Sequence, residues 1–238
     1  MTMTLRVIPG SFGLLNGALF SAKAEALLRM GGFDYECVPG RPDKQPKGKL
    51  PVLEDGEHLI PDSRHIQQYL ENEKGADFDG HLSIAPRGVA VAYRRMVEEH
   101  LYFAVMYSLW VDHADVFREE IFADVPRLMR GAVFGMLQKK IRKSLFGQGL
   151  GRHDRDEIYA FGVEDLRALE GQLRGGPFFF GERISSIDAT VYGILHLLAR
   201  APLDNPLTKL VRESSVLTGY EARVNAELFG ETTSAKAA

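Results

Sequence analysis

The stretch KLPVLEDG at residues 49–56, followed by IPDS at residues 60–63, decides the fold. Leu50 and Leu53 are typical of a buried strand, yet Pro51 lies between them. Proline removes a ladder hydrogen bond, so it belongs at a strand edge, a strand start or a bend. A trans edge proline without a role is one interpretation. A cis Leu50–Pro51 bond is the other, and its bend would turn the backbone of Leu50 toward an extended peptide ligand.

An acid and a serine stand at the head of the next helix, SRHIQQYLE at residues 63–71. A serine at this position usually caps the helix and does nothing more. The same helix start carries free N–H groups and the positive end of the helix dipole, which suit a ligand carboxylate. Asp62 beside Ser63 is suited to hold an ammonium group. The pair therefore predicts a receptor for an α-amino-acid head group, and the ligand is a small anionic peptide.

The composition excludes several classes of protein. The chain has 238 residues, is 45% hydrophobic and carries a formal charge of −3, so it buries a substantial core and has no electrostatic footprint for nucleic acid or a membrane surface. Seven histidines show no HExxH or comparable spacing, and no nucleotide-binding loop is present, so we expect no metal site. The only cysteine, Cys37, excludes a disulfide framework, and we expect a buried, inert thiol.

The start of the chain has no basic region followed by a long apolar stretch, and no apolar run approaches the roughly 18 residues that span a bilayer. We therefore expect a cytoplasmic protein that binds neither membrane nor nucleic acid.

The chain divides into a small α/β domain and an all-helical domain. The first third alternates, with strands predicted at 4–8, 35–38, 50–55 and 58–60 and helices at 18–30 and 61–73. The rest is helical, with helices predicted at 87–112, 125–149, 155–175 and 185–201 and one or two more within 207–229. The predicted boundaries are 1–76 for the first domain, 85–230 for the second and 231–238 for a flexible tail.

The stretch KGKLPVLEDGEHLIPDSRHIQQYLE at residues 47–71 resembles the cis-proline and acid–serine region of the glutathione transferase superfamily. FFFGERISSIDATVYGIL at 178–195 is similar to the family's capped core helix, with Ser185 as N-cap, Asp188 at N3 and Ile184 as the staple residue. AEALLRMGGFDYE and YRRMVEEHLYFAVMYSLW look closest to the metaxin-like and failed-axon-connections (Fax) branch. The resemblance implies a thioredoxin-like N-terminal domain followed by a helical C-terminal domain.

The resemblance also implies a glutathione site. In the family, the residue before the cis-proline pairs by its backbone with the cysteinyl part, and the acid–serine pair binds the γ-glutamyl end. The residues that match are Lys49, Leu50, Pro51, Asp62, Ser63 and Arg64. Lys47 and Lys49 are either receptors for the glycyl carboxylate or ordinary loop charges.

The family's catalytic position is less well matched. Relatives place Tyr, Ser or Cys near the opening of the first helix, where this chain has Ala18. The candidate thiol-activating residues are Asn16, Ser21 and Ser11, although Asn16 is also placed to cap the helix and Ser21 to face the strands. Lowering a thiol pKa by about two requires roughly 2.7 kcal/mol, and one hydrogen bond to the thiolate supplies about 1.5–3 kcal/mol.

The resemblance places the second substrate against the first long helix of the helical domain, where Phe103, Tyr107 and Trp110 form one predicted stripe. The alternative interpretation is that this stripe belongs to the hydrophobic core. On the same helix, Arg94, Arg95, Glu98 and Glu99 are interpreted as a solvated or interfacial charge run.

The functional hypothesis is a metal-free, homodimeric enzyme that binds glutathione as cosubstrate and conjugates its thiolate to a small electrophile. The alternative is a non-catalytic, metaxin-like interaction protein or glutathione-binding scaffold.

Overall fold

The computed structural model of the chain describes residues 2–10, 12, 14, 18–122 and 125–230. The predicted tail at 231–238 lies outside these ranges. The chain folds as predicted into a thioredoxin-like α/β part followed by a helical part.

The α/β part is built on a mixed four-stranded sheet in the order β2-β1-β3-β4. Its elements are β1 Met3–Val7, α1 Leu19–Met30, β2 Tyr35–Pro39, β3 Val52–Asp55, β4 His58–Pro61 and α2 Ser63–Glu73. Strand β1 is parallel to β2 and antiparallel to β3, so α1 provides the crossover that parallel strands need. In β1 every second residue is buried, and Leu5 lies opposite both Cys37 and Leu53.

The helical part begins at Ile84. Its helices are α3 Ile84–Met96, α4 Tyr102–Tyr107, α5 Ala114–Ile121, α6 Arg127–Gln148, α7 Arg155–Leu173, α8 Ser186–Arg200, α9 Pro206–Glu213 and α10 Ser215–Phe229. The helix predicted at 87–112 is one helical run, but π-helical turns at Val97–Leu101 and Ser108–Asp112 interrupt its α-helical hydrogen bonding. The region 207–229 holds two helices, and α5 was not predicted. No helix in the described ranges has the length and apolar character to cross a membrane.

Helix α8 is the centre of the core and starts at the predicted capping box. The carboxylate of Asp188 is buried and accepts four hydrogen bonds, from the N–H and O–H of Ser185 at 2.8 and 2.7 Å, the N–H of Phe179 at 2.8 Å and the O–H of Tyr220 at 2.7 Å. Burial raises the pKa of Asp188, while these donors lower it. The cap roles predicted for Ser185 and Asp188 are confirmed.

A buried ion pair joins the two parts. The Nζ of Lys23 on α1 lies 2.5 Å from Oε1 of Glu98, and the Lys23 side chain is fully buried. Of the two interpretations of Glu98, solvated or interfacial, the structure contradicts the first and agrees with the second, because Glu98 is buried against Lys23 of α1. The neighbouring Arg95 and Glu99 are exposed and form the i,i+4 pair expected on a helix surface, with 3.1 Å between Nη1 and Oε1.

The prediction of a buried Cys37 is wrong. Strand β2 is at the edge of the sheet, and the residue is exposed. Loss of solvation around the sulfur, followed by the nearby Glu25 carboxylate, raises the pKa of Cys37 to about 12. The thiol is therefore protonated at neutral pH, as an inert cysteine requires.

Candidate functional site

The Leu50–Pro51 peptide bond, which directly precedes β3, is cis. Within the described ranges, neither the N–H nor the C=O of Leu50 has a hydrogen-bond partner. The carbonyl of Pro51, in contrast, accepts the N–H of Asp62 at 3.1 Å. This bond fixes the proline against the start of α2, so the open backbone of Leu50 and the head of that helix lie side by side.

Asp62 is the N-cap of α2, where Ser63 had been expected. Its Oδ1 accepts the N–H of Arg64 at 2.9 Å. The backbone of Asp62 has a φ of +85°, a conformation that few residues other than glycine adopt and that Asp tolerates better than most. Residues held in such conformations are typical of ligand-binding positions.

Ser63 occupies the first helical position of α2. Its side chain is 4% exposed, yet its hydroxyl makes no hydrogen bond to any residue that the structure describes. The hydroxyl oxygen itself keeps access to water, so a ligand that reaches it replaces only solvent. The hydroxyl also lies at the positive end of the helix dipole, where an anion is stabilised.

The two predicted lysines differ in their surroundings. Lys47 is exposed, and its Nζ lies 3.0 Å from Nδ1 of His65 in the first turn of α2. This side chain therefore extends toward the groove between the Leu50–Pro51 peptide and the start of α2. Lys49 is exposed and has no partner among the residues described, so its ammonium group is available to a ligand carboxylate.

Of the three thiol-activating candidates, only Ser21 lies within the described residues. Ser11 and Asn16 lie outside the described residues. Ser21 is fully buried, and its Oγ accepts the N–H of Ile8 at 3.4 Å, so it faces β1 and not the groove. This burial argues against Ser21 as a catalytic residue. The N-cap position of α1 is Ala18.

The predicted aromatic stripe is only partly preserved. Trp110 stacks on Phe134 with 5.3 Å between ring centroids and meets Phe117 edge-on at 5.0 Å. Phe117 in turn lies 6.2 Å from Phe12 in the loop before α1, and the N–H of Phe12 donates to Glu120 at 2.6 Å. Trp110 is therefore connected through Phe117 to Phe12, which precedes α1.

The ring contacts of Phe103 and Tyr107 differ from those of Trp110. Tyr107 packs on Tyr159 of α7, with 6.2 Å between ring centroids, and Phe103 meets Tyr102. The π-helical turn at Ser108–Asp112 begins directly after Tyr107 and contains Trp110, so regular α-helical spacing does not hold between the two residues. The sequence did not point to Tyr102 as a residue of this region. Its ring meets that of Phe20 on α1 edge-on, with 5.0 Å between the ring centroids.

Family comparisons agree with this geometry. A sequence model of the glutathione S-transferase N-terminal domain matches residues 19–115, and a model of the C-terminal domain matches residues 162–224. The chain is 32% identical to an isoprene-epoxide–glutathione S-transferase of Rhodococcus over 167 residues, which are 66% of this chain and 68% of the relative.

Two further relatives come from the predicted branch. Failed axon connections of Drosophila melanogaster is 27% identical over 88% of this chain, which spans 54% of that protein's length. Human metaxin-2 is 22% identical over 91% of this chain and 84% of its own length.

Among solved structures, a Ceriporiopsis subvermispora glutathione S-transferase in complex with glutathione covers 100% of both chains with a TM-score of 0.67 and 17% identity. At this identity the likeness is one of fold. The fold and the groove between cis-proline and helix start thus define a two-domain protein of the glutathione transferase type.

The chain belongs to the glutathione S-transferase superfamily, and its predicted similarity to Fax and the metaxins is confirmed. The homodimer and the cytoplasmic location stay predictions.

Proposed function

We propose that the chain binds glutathione in the groove between the Leu50–Pro51 peptide and the start of α2, and joins the glutathione thiolate to a small electrophile. The observation that carries this proposal is the juxtaposition of two unsatisfied features. The backbone groups of Leu50 and the hydroxyl of Ser63 both lack partners within the described ranges, and the Pro51–Asp62 hydrogen bond holds them at one place.

Each part of the tripeptide has a matching group. The backbone of Leu50 pairs with the cysteinyl residue as a further strand would. Ser63 and the free N–H groups of α2 receive the γ-glutamyl carboxylate, and the carboxylate of Asp62 receives the ammonium group. Lys49, with Lys47 beside it, meets the glycyl carboxylate.

The proposed reaction needs only thiolate stabilisation and proximity. The sulfur attacks an electrophilic carbon and forms an S–C bond while the bond to the leaving atom breaks. With an epoxide, the class named for the Rhodococcus relative, a C–O bond breaks and the new alkoxide takes up the proton that the thiol released. The start of α1 at Ala18 supplies the positive helix end, and Asn16 or Ser11 remains the candidate hydrogen-bond donor.

The electrophile binds, in this proposal, beside Trp110 and Phe117. These rings reach the loop before α1 through Phe12, whereas Tyr107 is engaged inside the helical part with Tyr159. Aromatic and apolar walls with few polar groups are what small electrophiles require of a pocket.

The test compares two serines that each occupy the first position of a helix. Ser63→Ala removes a hydroxyl with no described partner, so we expect unchanged stability and a roughly tenfold to hundredfold weaker glutathione affinity, the value of a hydrogen bond to a charged group. Ser186→Ala removes the hydroxyl that donates to Asp79 at 2.7 Å, so we expect about 1 kcal/mol lower stability and unchanged affinity. Titration calorimetry and thermal unfolding measure both effects.

Wild-type protein that gives no heat with millimolar glutathione would contradict the proposal. Turnover is measured separately, as loss of glutathione thiol against a panel of epoxides and other electrophiles, and conjugation above the uncatalysed rate is expected.

The second candidate function is a scaffold without catalysis. The N-cap of α1 is Ala18, which carries no hydroxyl or thiol, and the metaxin and Fax relatives favour this alternative. Glutathione binding without turnover against any electrophile in the panel would support a glutathione-binding scaffold. A folded protein without glutathione affinity would support a metaxin-like interaction protein.

A further inference from the structure

Helix α6, Arg127–Gln148, is held to the rest of the molecule along one face. On that face Phe134 and Leu145 are buried, and the ring of Phe134 stacks on Trp110 with 5.3 Å between centroids. Between them Gln138 donates from Nε2 to the carbonyl of Trp110 at 2.7 Å. These contacts account for the inner face of the helix and leave the opposite face toward solvent.

The outer face of α6 exposes large apolar side chains. Leu128 is fully exposed, and Met136 and Phe146 are more than half exposed. The exposed positions follow alternating steps of four and three residues, which keep side chains on one side of a helix. They are Leu128, Ala132, Met136, Lys139, Lys143 and Phe146. This stripe extends over about 27 Å, whereas a helix face that meets only water is normally polar.

The same segment has an excess of positive charge. Residues 125–153 contain seven lysines and arginines and no aspartate or glutamate. Lys139, Lys140, Arg142 and Lys143 are exposed, and none forms an ion pair with a residue that the structure describes. Lys139 and Lys143 are four residues apart, so their like charges weaken the helix unless an anion lies beside them. The charge of −3 belongs to the whole chain and hides this local excess.

The stripe forms a ridge. Gly135 lies on one flank of it and Gly147 on the other, and an added Cβ at either glycine would meet nothing within 4 Å. Among the described residues, no neighbouring element therefore rises beside the stripe to make a groove. Peptide partners bind in grooves or along sheet edges, whereas a flat surface can accommodate a ridge.

We propose that the outer face of α6 docks on an anionic lipid surface. The side chains of Leu128, Met136 and Phe146 enter the boundary between head groups and acyl chains, and the ammonium groups of Lys139 and Lys143 extend to the lipid phosphates. A second copy of the chain fits this face less well, because a two-fold contact would bring the same lysines together. The inference goes beyond the proposed function and does not depend on it.

The experiment measures co-sedimentation of the full chain with vesicles of phosphatidylcholine alone and of phosphatidylcholine with roughly 30% phosphatidylserine. We expect binding to the anionic vesicles that weakens with added salt, and much weaker binding to the neutral ones. The double variant Lys139→Gln/Lys143→Gln removes two cations and should bind at least about tenfold more weakly. Met136→Ser removes an apolar contact and should also bind roughly tenfold more weakly.

The matched control is the double variant Lys44→Gln/Lys209→Gln, which removes two exposed lysines far from α6 in the sequence and should bind like wild type. Because all the substituted side chains lie at the surface, every variant should keep the wild-type unfolding temperature. Any loss of vesicle binding then reports the surface and not the fold.

Four results would overturn the proposal. Two concern the vesicles: no binding of wild type to the anionic ones, or equal binding by the two double variants. Binding to a polyglutamate chain without binding to vesicles would assign the face to an acidic protein partner. Self-association that Met136→Ser abolishes, again without vesicle binding, would assign it to a second copy of the chain.

Discussion

The starts of helices α8 and α2 contain similar residues that serve different purposes. At α8 the polar groups are all engaged: Asp188 accepts four hydrogen bonds, and the hydroxyl of Ser186 donates to Asp79. At α2 the hydroxyl of Ser63 is left without a described partner. The first arrangement stabilises the fold, and the second is suited to a ligand. The difference lies in which atoms have partners, and residue identity alone does not show it.

Cys37 provides a prediction at the scale of one residue. With its pKa raised to about 12, the folded thiol should react with iodoacetamide at pH 8 roughly thirtyfold more slowly than an ordinary cysteine, since thiolate population falls with rising pKa while nucleophilicity partly compensates. The rate is measured by mass spectrometry, with the same chain in urea as the reference. A folded-state rate equal to the unfolded-state rate would show that the pKa is not raised. Cys37→Ser controls for labelling elsewhere.

Helices and strands were predicted where hydrophobic periodicity is strong. Strand β1, in which every second residue is buried, and the central helix α8 are two examples. Helix α5 was missed because it has only eight residues, its N-cap His113 makes no side-chain cap hydrogen bond, and it ends without glycine or proline. The π-helical turns around α4 were missed because one extra residue per turn leaves no sequence signature, so the α-helical spacing assumed for Phe103, Tyr107 and Trp110 is not kept.

The contact between α1 and α8 provides a prediction at the scale of elements. A Cβ at Gly193 would lie 2.8 Å from the carbonyl oxygen of Leu19, the first residue of α1. Gly193→Ala should therefore push α1 away from α8 and destabilise the protein by about 1–3 kcal/mol, the usual cost of overpacking. Displacement of the α1 start should also lower any conjugation rate. Chemical denaturation and turnover measure the two effects.

Gly171 on α7 is the matched control, because a Cβ there meets nothing within 4 Å. Gly171→Ala should stabilise the protein by about 0.5–1 kcal/mol through better helix propensity. If both alanine variants proved equally stable or stabilising, the close approach of α8 to α1 would be disproved.

At the scale of the whole molecule, the proposed site depends on contacts between the α/β part and the helical part. The Lys23–Glu98 pair joins residues 75 positions apart, and the Phe12–Glu120 hydrogen bond joins residues 108 positions apart. The sequence predicted both parts, because the hydrophobic periodicity of each is a local pattern. The glutathione-binding residues stay predictions. It did not predict the Lys23–Glu98 ion pair or the contact of Phe117 with Phe12, since these depend on how distant segments pack.

The measurement that tests the central claim most directly is residue-resolved hydrogen exchange of the Leu50 amide by NMR, with and without saturating glutathione. The free N–H of Leu50 has no described partner, so glutathione pairing should slow its exchange at least about tenfold. The Asp62 amide, already bonded to the Pro51 carbonyl at 3.1 Å, is the internal reference and should change much less. Unchanged exchange at Leu50 under saturating glutathione would contradict the account.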